Sequence, residues 1–336
     1  MFKITIYGVH SNEVNYFKRL NKYNYKLNLI STLLTHENIE TAKGSDAVLL
    51  RANCIADEQN LLKLNKWGIK YVFTRTVGID HINLETAAKL NLKVARVPAY
   101  SPYAVAELVI TLGMMLFRHT ATVTNNTHIG NFAISPENFS KEINSSVIGI
   151  IGTGKIGITE ASLYKGMGAK VLGYDPYPTA KASQYVDFVT QDELLSKADI
   201  VSLHVPYFPG QNDNLVNSEF LEKMKSDSFL VNTARGELVD NIALIQALRE
   251  EKLAGFATDV FRDEGKLLGR IFKKNLPDPT LEELRELYPK VLITPHIGSY
   301  TSPALMDMVK ISYDNFHQVL TEGYTDNDVK LPSVLL

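Results

Sequence analysis

The sequence predicts an α/β protein built on two doubly wound parallel sheets. Three observations lead there. Short β-branched or aliphatic runs alternate with longer segments of helical spacing from end to end, the pattern of βα units. The runs fall into two series, parted by Pro98-Ala99-Tyr100-Ser101-Pro102. The 336 residues, 45% hydrophobic with 20 Gly and 13 Pro, are too many for one small core and too apolar for disorder.

In the first hundred residues the strand candidates are 4–7, 47–50, 71–74 and 94–97, enough for a small flavodoxin-like sheet. The second series runs 147–151, 171–174, 200–203, 229–232, 255–258 and 291–294, six strands that complete a Rossmann-type dinucleotide-binding sheet. Between them, the apolar stretch 104–117 has Glu107 early and Arg118 at its end, as a helix dipole prefers, and reads as a connecting helix. Beyond the last strand, Gly298-Ser299-Tyr300-Thr301-Ser302-Pro303 is chemically similar to the first crossing, and 304–320 is one more helix, expected to return to the first domain, the plainer reading being that it stays on the nucleotide domain. The expected boundaries are 1–100 with 300–336 for a discontinuous domain and 101–299 for the inserted one, the two crossings forming a hinge over a ligand cleft.

Charge and cysteine content narrow the function classes. Thirty-five Lys and Arg against 37 Asp and Glu leave a net charge of −2, and no basic run resembles a nucleic-acid or lipid patch. Cys54 is the only cysteine, so neither an intramolecular disulfide nor a zinc site is expected, and no metal is called for. The N-terminus lacks the apolar core of a signal peptide, and no run of about 18 apolar residues exists to span a bilayer. The expectation is a soluble, cytoplasmic protein with a small-molecule partner.

The strongest local motif is Gly152-Thr153-Gly154-Lys155-Ile156-Gly157, set between an apolar strand and a helix. Gly152 permits a tight turn, Gly154 lets the backbone approach a pyrophosphate, and Gly157 lets the helix pack on the strand. The amides of Lys155 and Ile156 at the helix start face the phosphate charge. The next strand ends in Asp175, at the spacing of an acid that accepts hydrogen bonds from the adenosine ribose and repels a 2′-phosphate. NAD is therefore expected over NADP. The plainer reading of Asp175 is a turn residue before Pro176.

Ligands of open parallel sheets bind beyond the carboxyl ends of the strands, and polar residues recur there: Arg51, Val77-Gly78, His204, Arg235-Gly236, Asp259 with Glu264, and Pro295-His296. Arg235 can hold a substrate carboxylate by a planar two-point pair and polarise a neighbouring keto oxygen. His296 can exchange the proton on that oxygen, and Glu264 can orient the imidazole and raise its pKa. Taken singly, Glu264 reads as part of a solvated charged loop and His296 as a structural histidine; only together do they make a reaction centre.

These residues resemble the D-2-hydroxyacid dehydrogenases, and within them the D-lactate dehydrogenase group. The resemblance spans essentially the whole chain. It is carried by Thr74-Arg75-Thr76-Val77-Gly78-Ile79-Asp80-His81-Ile82, Val97-Pro98-Ala99-Tyr100-Ser101-Pro102, the glycine fingerprint, Leu203-His204-Val205-Pro206, Asn232-Thr233-Ala234-Arg235-Gly236-Glu237-Leu238-Val239-Asp240 and Thr294-Pro295-His296-Ile297-Gly298. It implies a discontinuous substrate domain, a central NAD domain, a homodimer built on the latter, and Arg235, Glu264 and His296 as the catalytic trio. It further implies that the amides of Val77 and Gly78 hold the substrate carboxylate, that Tyr100 lines the pocket, and that Val205, Pro206, Asn212, Thr233, Ala234 and Asp259 contact the cofactor. The loop around Asn212 departs from the family pattern.

Arg51 stands where lactate-type members usually carry an aromatic or apolar residue, and Val48-Leu49-Leu50-Arg51-Ala52-Asn53-Cys54 looks like the corresponding segment of (R)-2-hydroxyglutarate dehydrogenases. A second cation can bind a second carboxylate, so 2-oxoglutarate joins pyruvate as an expected substrate. The plainer reading of Arg51 is a partner for a neighbouring acid or a solvent-facing side chain. A different class stays open as well, a non-catalytic NAD-sensing binder like the corepressors that share this fold.

Overall fold

Two all-parallel sheets organise the chain in a computed structural model that describes residues 1–332. The chain divides into two compact units, Met1–Ser101 with Tyr300–Leu336, and Pro102–Ser299. Ser101 thus falls to the first unit, and 333–336, the end of the expected 300–336 segment, lies outside the described residues.

The first unit holds β1 (Lys3–Ile6), β2 (Lys26–Leu29), β3 (Ala47–Leu50) and β4 (Tyr71–Thr74), ordered β2-β1-β3-β4. That is the start of the flavodoxin-like order. All four residues of β3 are buried, as a central parallel strand covered on both faces requires. Helices α1 (Val14–Leu20), α2 (Glu58–Lys66), α3 (Leu84–Lys89) and α11 (Ser302–Glu322) complete the unit. Asp57, Asn83 and Thr301 start α2, α3 and α11 by accepting a bond from the amide three residues on. Leu305, Val309, Tyr313 and Phe316 recur at helical spacing and pack with Ile4, Ile6, Phe17 and Phe73.

Two sequence expectations change here. Residues 94–97 form no regular strand; they run beside β4, giving carbonyls of Lys93 and Ala95 to the amides of Val72 and Thr74, while the Val94 carbonyl accepts from Val329. The ladder is too interrupted to count as a strand. In contrast, β2 is a strand that the sequence does not announce, because Lys26-Leu27-Asn28-Leu29 is an edge with no fully buried residue and its composition is half polar.

The second unit carries β5 (Val147–Ile151), β6 (Lys170–Tyr174), β7 (Asp187–Phe188), β8 (Ile200–Leu203), β9 (Phe229–Asn232), β10 (Gly255–Thr258) and β11 (Val291–Ile293). The order is β11-β10-β9-β8-β5-β6-β7, the doubly wound dinucleotide arrangement. To the six expected strands the structure adds a seventh, β7, a two-residue edge too short to leave a pattern. The helices are α4 (Pro102–Phe117), α5 (Thr120–His128), α6 (Lys155–Gly166), α7 (Gln191–Lys197), α8 (Ser218–Lys223), α9 (Asn241–Arg249) and α10 (Pro279–Glu286). Helix α4 packs on α6, β9 and β10, which explains its apolar composition. Among the described residues no single helix is long and apolar enough to cross a membrane; α4 and α5 reach that length and composition only as a pair bent by 66°.

The register of this sheet sets the height of every strand end. Tyr174, Ile151, Leu203, Asn232, Thr258 and Ile293 are successive partners across the sheet, one row perpendicular to the strands. The residues just beyond that row are Asp175, Gly152, His204, Thr233, Asp259 and Thr294.

Phe316 is fully buried and stacks on Phe73 with ring centroids 4.5 Å apart. Phe316→Ala is expected to destabilise the protein by about 3–5 kcal/mol, as core Phe truncations do, measured as a drop in the denaturation midpoint at unchanged slope.

Candidate active site

Asp259, directly after β10, is 2% exposed and its carboxylate organises the loop after β11. Thr294 Oγ1 and the Ile297 amide donate to Oδ1 at 2.6 and 2.8 Å, and the Gly298 amide donates to Oδ2 at 2.7 Å. His296 is thereby held between two pinned positions, with φ at +54°, a left-handed backbone unusual for a non-glycine residue. Burial raises the Asp259 pKa, against the pull of Thr294, the two amides and His296.

The His296 Nδ1 lies 2.7 Å from Glu264 Oε2. Glu264 opens a short 3-10 turn, Glu264–Lys266, and its other oxygen accepts the Phe261 amide at 3.2 Å. A carboxylate only accepts, so the imidazole proton sits on Nδ1 and leaves Nε2 to exchange protons. Burial is the largest influence on His296 and lowers its pKa. The hydrogen bond and charge of Glu264, helped by Asp259, outweigh it and hold the pKa above the ordinary value, while Arg235 opposes them.

Arg235 follows β9 in extended backbone. Its loop is shaped by Asn232, whose Oδ1 accepts the Ala234 amide at 3.0 Å and whose Nδ2 donates to the Arg235 carbonyl at 2.8 Å. The guanidinium donates to the Ala234 carbonyl at 2.7 Å, and its charge reaches the His296 ring. Three side chains from three separate strand ends are thus electrostatically linked within this unit.

The residues singled out for a dinucleotide fit it by several observations. Gly152 has φ +94°, and a Cβ there would meet the His204 backbone at 2.7 Å; a Cβ on Gly157 would lie 2.2 Å from the Gly152 carbonyl oxygen. Gly154 begins α6 with no side-chain cap, and its Cβ direction opens on free space. Thr233 Oγ1 is buried with no hydrogen-bond partner among the described residues. Asp175 accepts from Thr153 N and Oγ1 at 2.8 and 3.1 Å and from the Tyr177 amide at 2.9 Å, so it fixes the glycine turn and keeps acceptor capacity on Oδ1. Val205 and Ala234 are part-buried against the core of the unit. Asn212 is different: both its polar atoms are spent inside its own loop, on the Pro206 carbonyl and the Phe208 amide.

In the first unit, Arg51, Arg75, Val77 and Gly78 all lie past strand ends. Arg75 is 2% exposed and forms a two-point ion pair with Glu13 at 2.9 and 3.2 Å. Both arginines donate to the Gly8 carbonyl, Arg75 at 2.8 Å and Arg51 at 3.2 Å, but Arg51 has no carboxylate partner among the described residues. Burial, then the charge of Arg75, lowers the Arg51 pKa. The amides of Val77 and Gly78 donate to no acceptor among the described residues, whereas their carbonyls are used, by Arg96 at 3.0 Å and Thr76 Oγ1 at 2.6 Å. Tyr100 is half-buried in the extended segment after Val97. Sequence reasoning missed Glu13, Asn232 and the pinning task of Asp259, because each acts on a segment distant in the chain and no local pattern marks it.

Residues 110–298 match the family described as D-isomer specific 2-hydroxyacid dehydrogenase, NAD binding domain. A D-lactate dehydrogenase of Lactiplantibacillus plantarum is 37% identical over 98% of this chain and 99% of its own. An aromatic 2-oxoacid reductase of Clostridium sporogenes is 34% identical over 97% and 98%. The crystal structure of a Treponema pallidum D-lactate dehydrogenase superposes with a TM-score of 0.88 at 31% identity, covering 98% of this chain and all of that one. The chain belongs to the D-isomer specific 2-hydroxyacid dehydrogenases, and it is an NAD-dependent oxidoreductase acting on the CH–OH group of such acids.

Proposed function

We propose that the protein reduces a 2-keto acid to the (R)-2-hydroxy acid and runs the reverse reaction, with Arg235, Glu264 and His296 as its catalytic residues. The observation that carries this reading is the Glu264–His296 bond under the charge of Arg235. The Gly152–Gly157 turn, Asp175, Val205, Pro206, Thr233 and Ala234 would hold NADH, which when bound would supply the hydride for the keto carbon. Arg235 pairs with the substrate carboxylate and draws electron density toward the keto oxygen. His296 gives its Nε2 proton to that oxygen as the alcohol forms, and takes it back in the oxidative direction. Glu264 keeps the imidazole in the tautomer this transfer needs and stabilises its charged form. The unpaired amides of Val77 and Gly78, with Tyr100, are the substrate contacts of the first unit. Asn212 is left with a loop-closing task, and Asp259 holds the His296 loop.

The substrate we propose is a keto acid with an anionic tail, 2-oxoglutarate being the simplest, taken at least as well as pyruvate. Arg51 supports it: a part-buried guanidinium anchored to a carbonyl, beside a second arginine that is already ion-paired with Glu13, it is a cation with no ion-pair partner of its own among the described residues. An aromatic 2-oxoacid is the competing substrate, by likeness to the reductase of Clostridium sporogenes. We also propose a homodimer through the second unit, supported by Ile129, Phe132, Ile134 and Phe139, which are 71–95% exposed within one short stretch. Such a patch is unusual for a monomer.

Reduction needs protonated His296, so its rate falls as pH rises through the raised pKa. Glu264→Gln removes the main charge that raises it, leaving burial and Arg235 to press it down against Asp259 alone. The falling limb of kcat/KM then moves to lower pH, and activity at neutral pH drops about ten-fold or more. A limb that stays in place removes Glu264 from the mechanism. Arg51→Leu is expected to lower the ratio of kcat/KM for 2-oxoglutarate over pyruvate by roughly 10- to 1000-fold, and a constant ratio rules out the clamp. Phe132→Asp combined with Ile134→Asp is expected to yield a 37.5 kDa particle in light scattering where the parent gives twice that mass.

A further inference from the structure

One buried charged cluster of the second unit has no task in the reaction. Glu160 lies on α6, fully buried, and its Oε2 accepts from Ser202 Oγ at 2.8 Å and pairs with His204 Nε2. The His204 side chain is itself only 3% exposed. Glu160 Oε1 and the Tyr164 hydroxyl, one turn further along α6, have no hydrogen-bond partner among the described residues. Removing a carboxylate from water in this way costs several kcal/mol, and an apolar residue of the same volume usually packs as well or better. Stability alone therefore does not account for the pair.

What the pair holds is informative. His204 is the first residue past β8; its amide donates to the Ile151 carbonyl at 2.8 Å, and its own carbonyl packs on Gly152 so closely that a Cβ on that glycine would lie 2.7 Å from the carbonyl carbon. The imidazole thus ties the turn His204-Val205-Pro206 to α6, and the main chain of the same residue abuts the turn from which α6 begins. Helix, glycine turn and post-β8 turn form one closed mechanical loop with the Glu160–His204 bond as its fastener. Glu160 is the sole polar partner of the His204 ring among the described residues.

We infer that Glu160 is a positioning residue for the dinucleotide, acting through His204 to hold Val205 and Pro206 at a fixed distance from the Gly152 turn. The inference rests on the reading that these two turns hold the cofactor, and is independent of Arg51 and of the trio. Its consequence is preorganisation: the cofactor meets a surface already set, and releasing the fastener makes binding carry the ordering cost.

The test separates affinity from stability. Glu160→Met frees His204, and the triple change E160M/S202A/H204M replaces Glu160, Ser202 and His204 by apolar groups, which keeps the interior filled. NADH binding is followed by fluorescence titration of the full-length protein. Both variants are expected to raise the NADH Kd about ten-fold or more and to similar extents, since they cut the same tether. E160Q, which keeps the shape and one hydrogen bond, raises it less, by about two- to five-fold. At saturating NADH, kcat stays within about three-fold of the parent, so the defect appears in the KM for NADH. Lower melting temperatures with an unchanged Kd would mean a purely structural cluster and overturn the inference; E160Q supplies the same reading if the larger changes unfold the protein. Asp175→Asn is the control. If it weakens NADH binding while the Glu160 variants do not, only the positioning role falls; if it too is without effect, the cofactor placement falls and takes the inference with it.

Discussion

The parallel register of the seven-stranded sheet is the constraint on which the rest depends. Hydrogen bonding aligns Tyr174, Ile151, Leu203, Asn232, Thr258 and Ile293 in one row, so the chain leaves six strands at the same height. Backbone groups at that edge have no further ladder partners, and side chains placed there project toward whatever the edge binds. A one-residue slip of β10 or β11 would turn Asp259 or Thr294 to the opposite face and undo their 2.6 Å bond. The site is therefore as well defined as the sheet, and the sheet is defined by fully buried strands such as β8, β9 and β10, with no exposed residue among them.

Two carboxylates beyond that row divide the work on His296. Asp259 faces backbone amides and Thr294 and fixes where the loop goes; Glu264 faces the imidazole and fixes its orientation and proton affinity. Left-handed backbone at both Asp263 and His296, φ +55° and +54°, shows how tightly the two segments are drawn together. Each such residue costs on the order of 1–2 kcal/mol, which the surrounding hydrogen bonds offset. Arg235 works against the other two by lowering the His296 pKa, so the imidazole sits between opposing fields.

The first unit uses its two strand-end arginines differently. Arg75 is sealed by Glu13 and is structural; Arg51 shares the Gly8 carbonyl with it and has no ion-pair partner among the described residues. In the second unit, Glu160 is matched by His204 and Ser202.

How much of the fold is legible in the sequence depends on the range of each interaction. Strands β3, β5, β8, β9 and β10 are readable to the residue because a central parallel strand is buried on both faces and its composition says so; β4, at the end of its sheet, is readable because three of its four residues are buried all the same. The glycine turn and Asp175 are readable because a turn and a strand end are local chemistry. Two other edges escape: β2 is half polar and β7 has two residues, so neither carries a hydrophobic signature. By itself, then, the sequence determined the α/β class, the parallel order of βα units, and the kind of side chain waiting at each strand end. Only the tertiary structure decided which of those side chains touch. The Glu264–His296, Asp259–Thr294, Glu160–His204 and Arg75–Glu13 contacts join residues 32 to 62 positions apart, and such contacts are set by register and packing across the sheet, which no local pattern encodes.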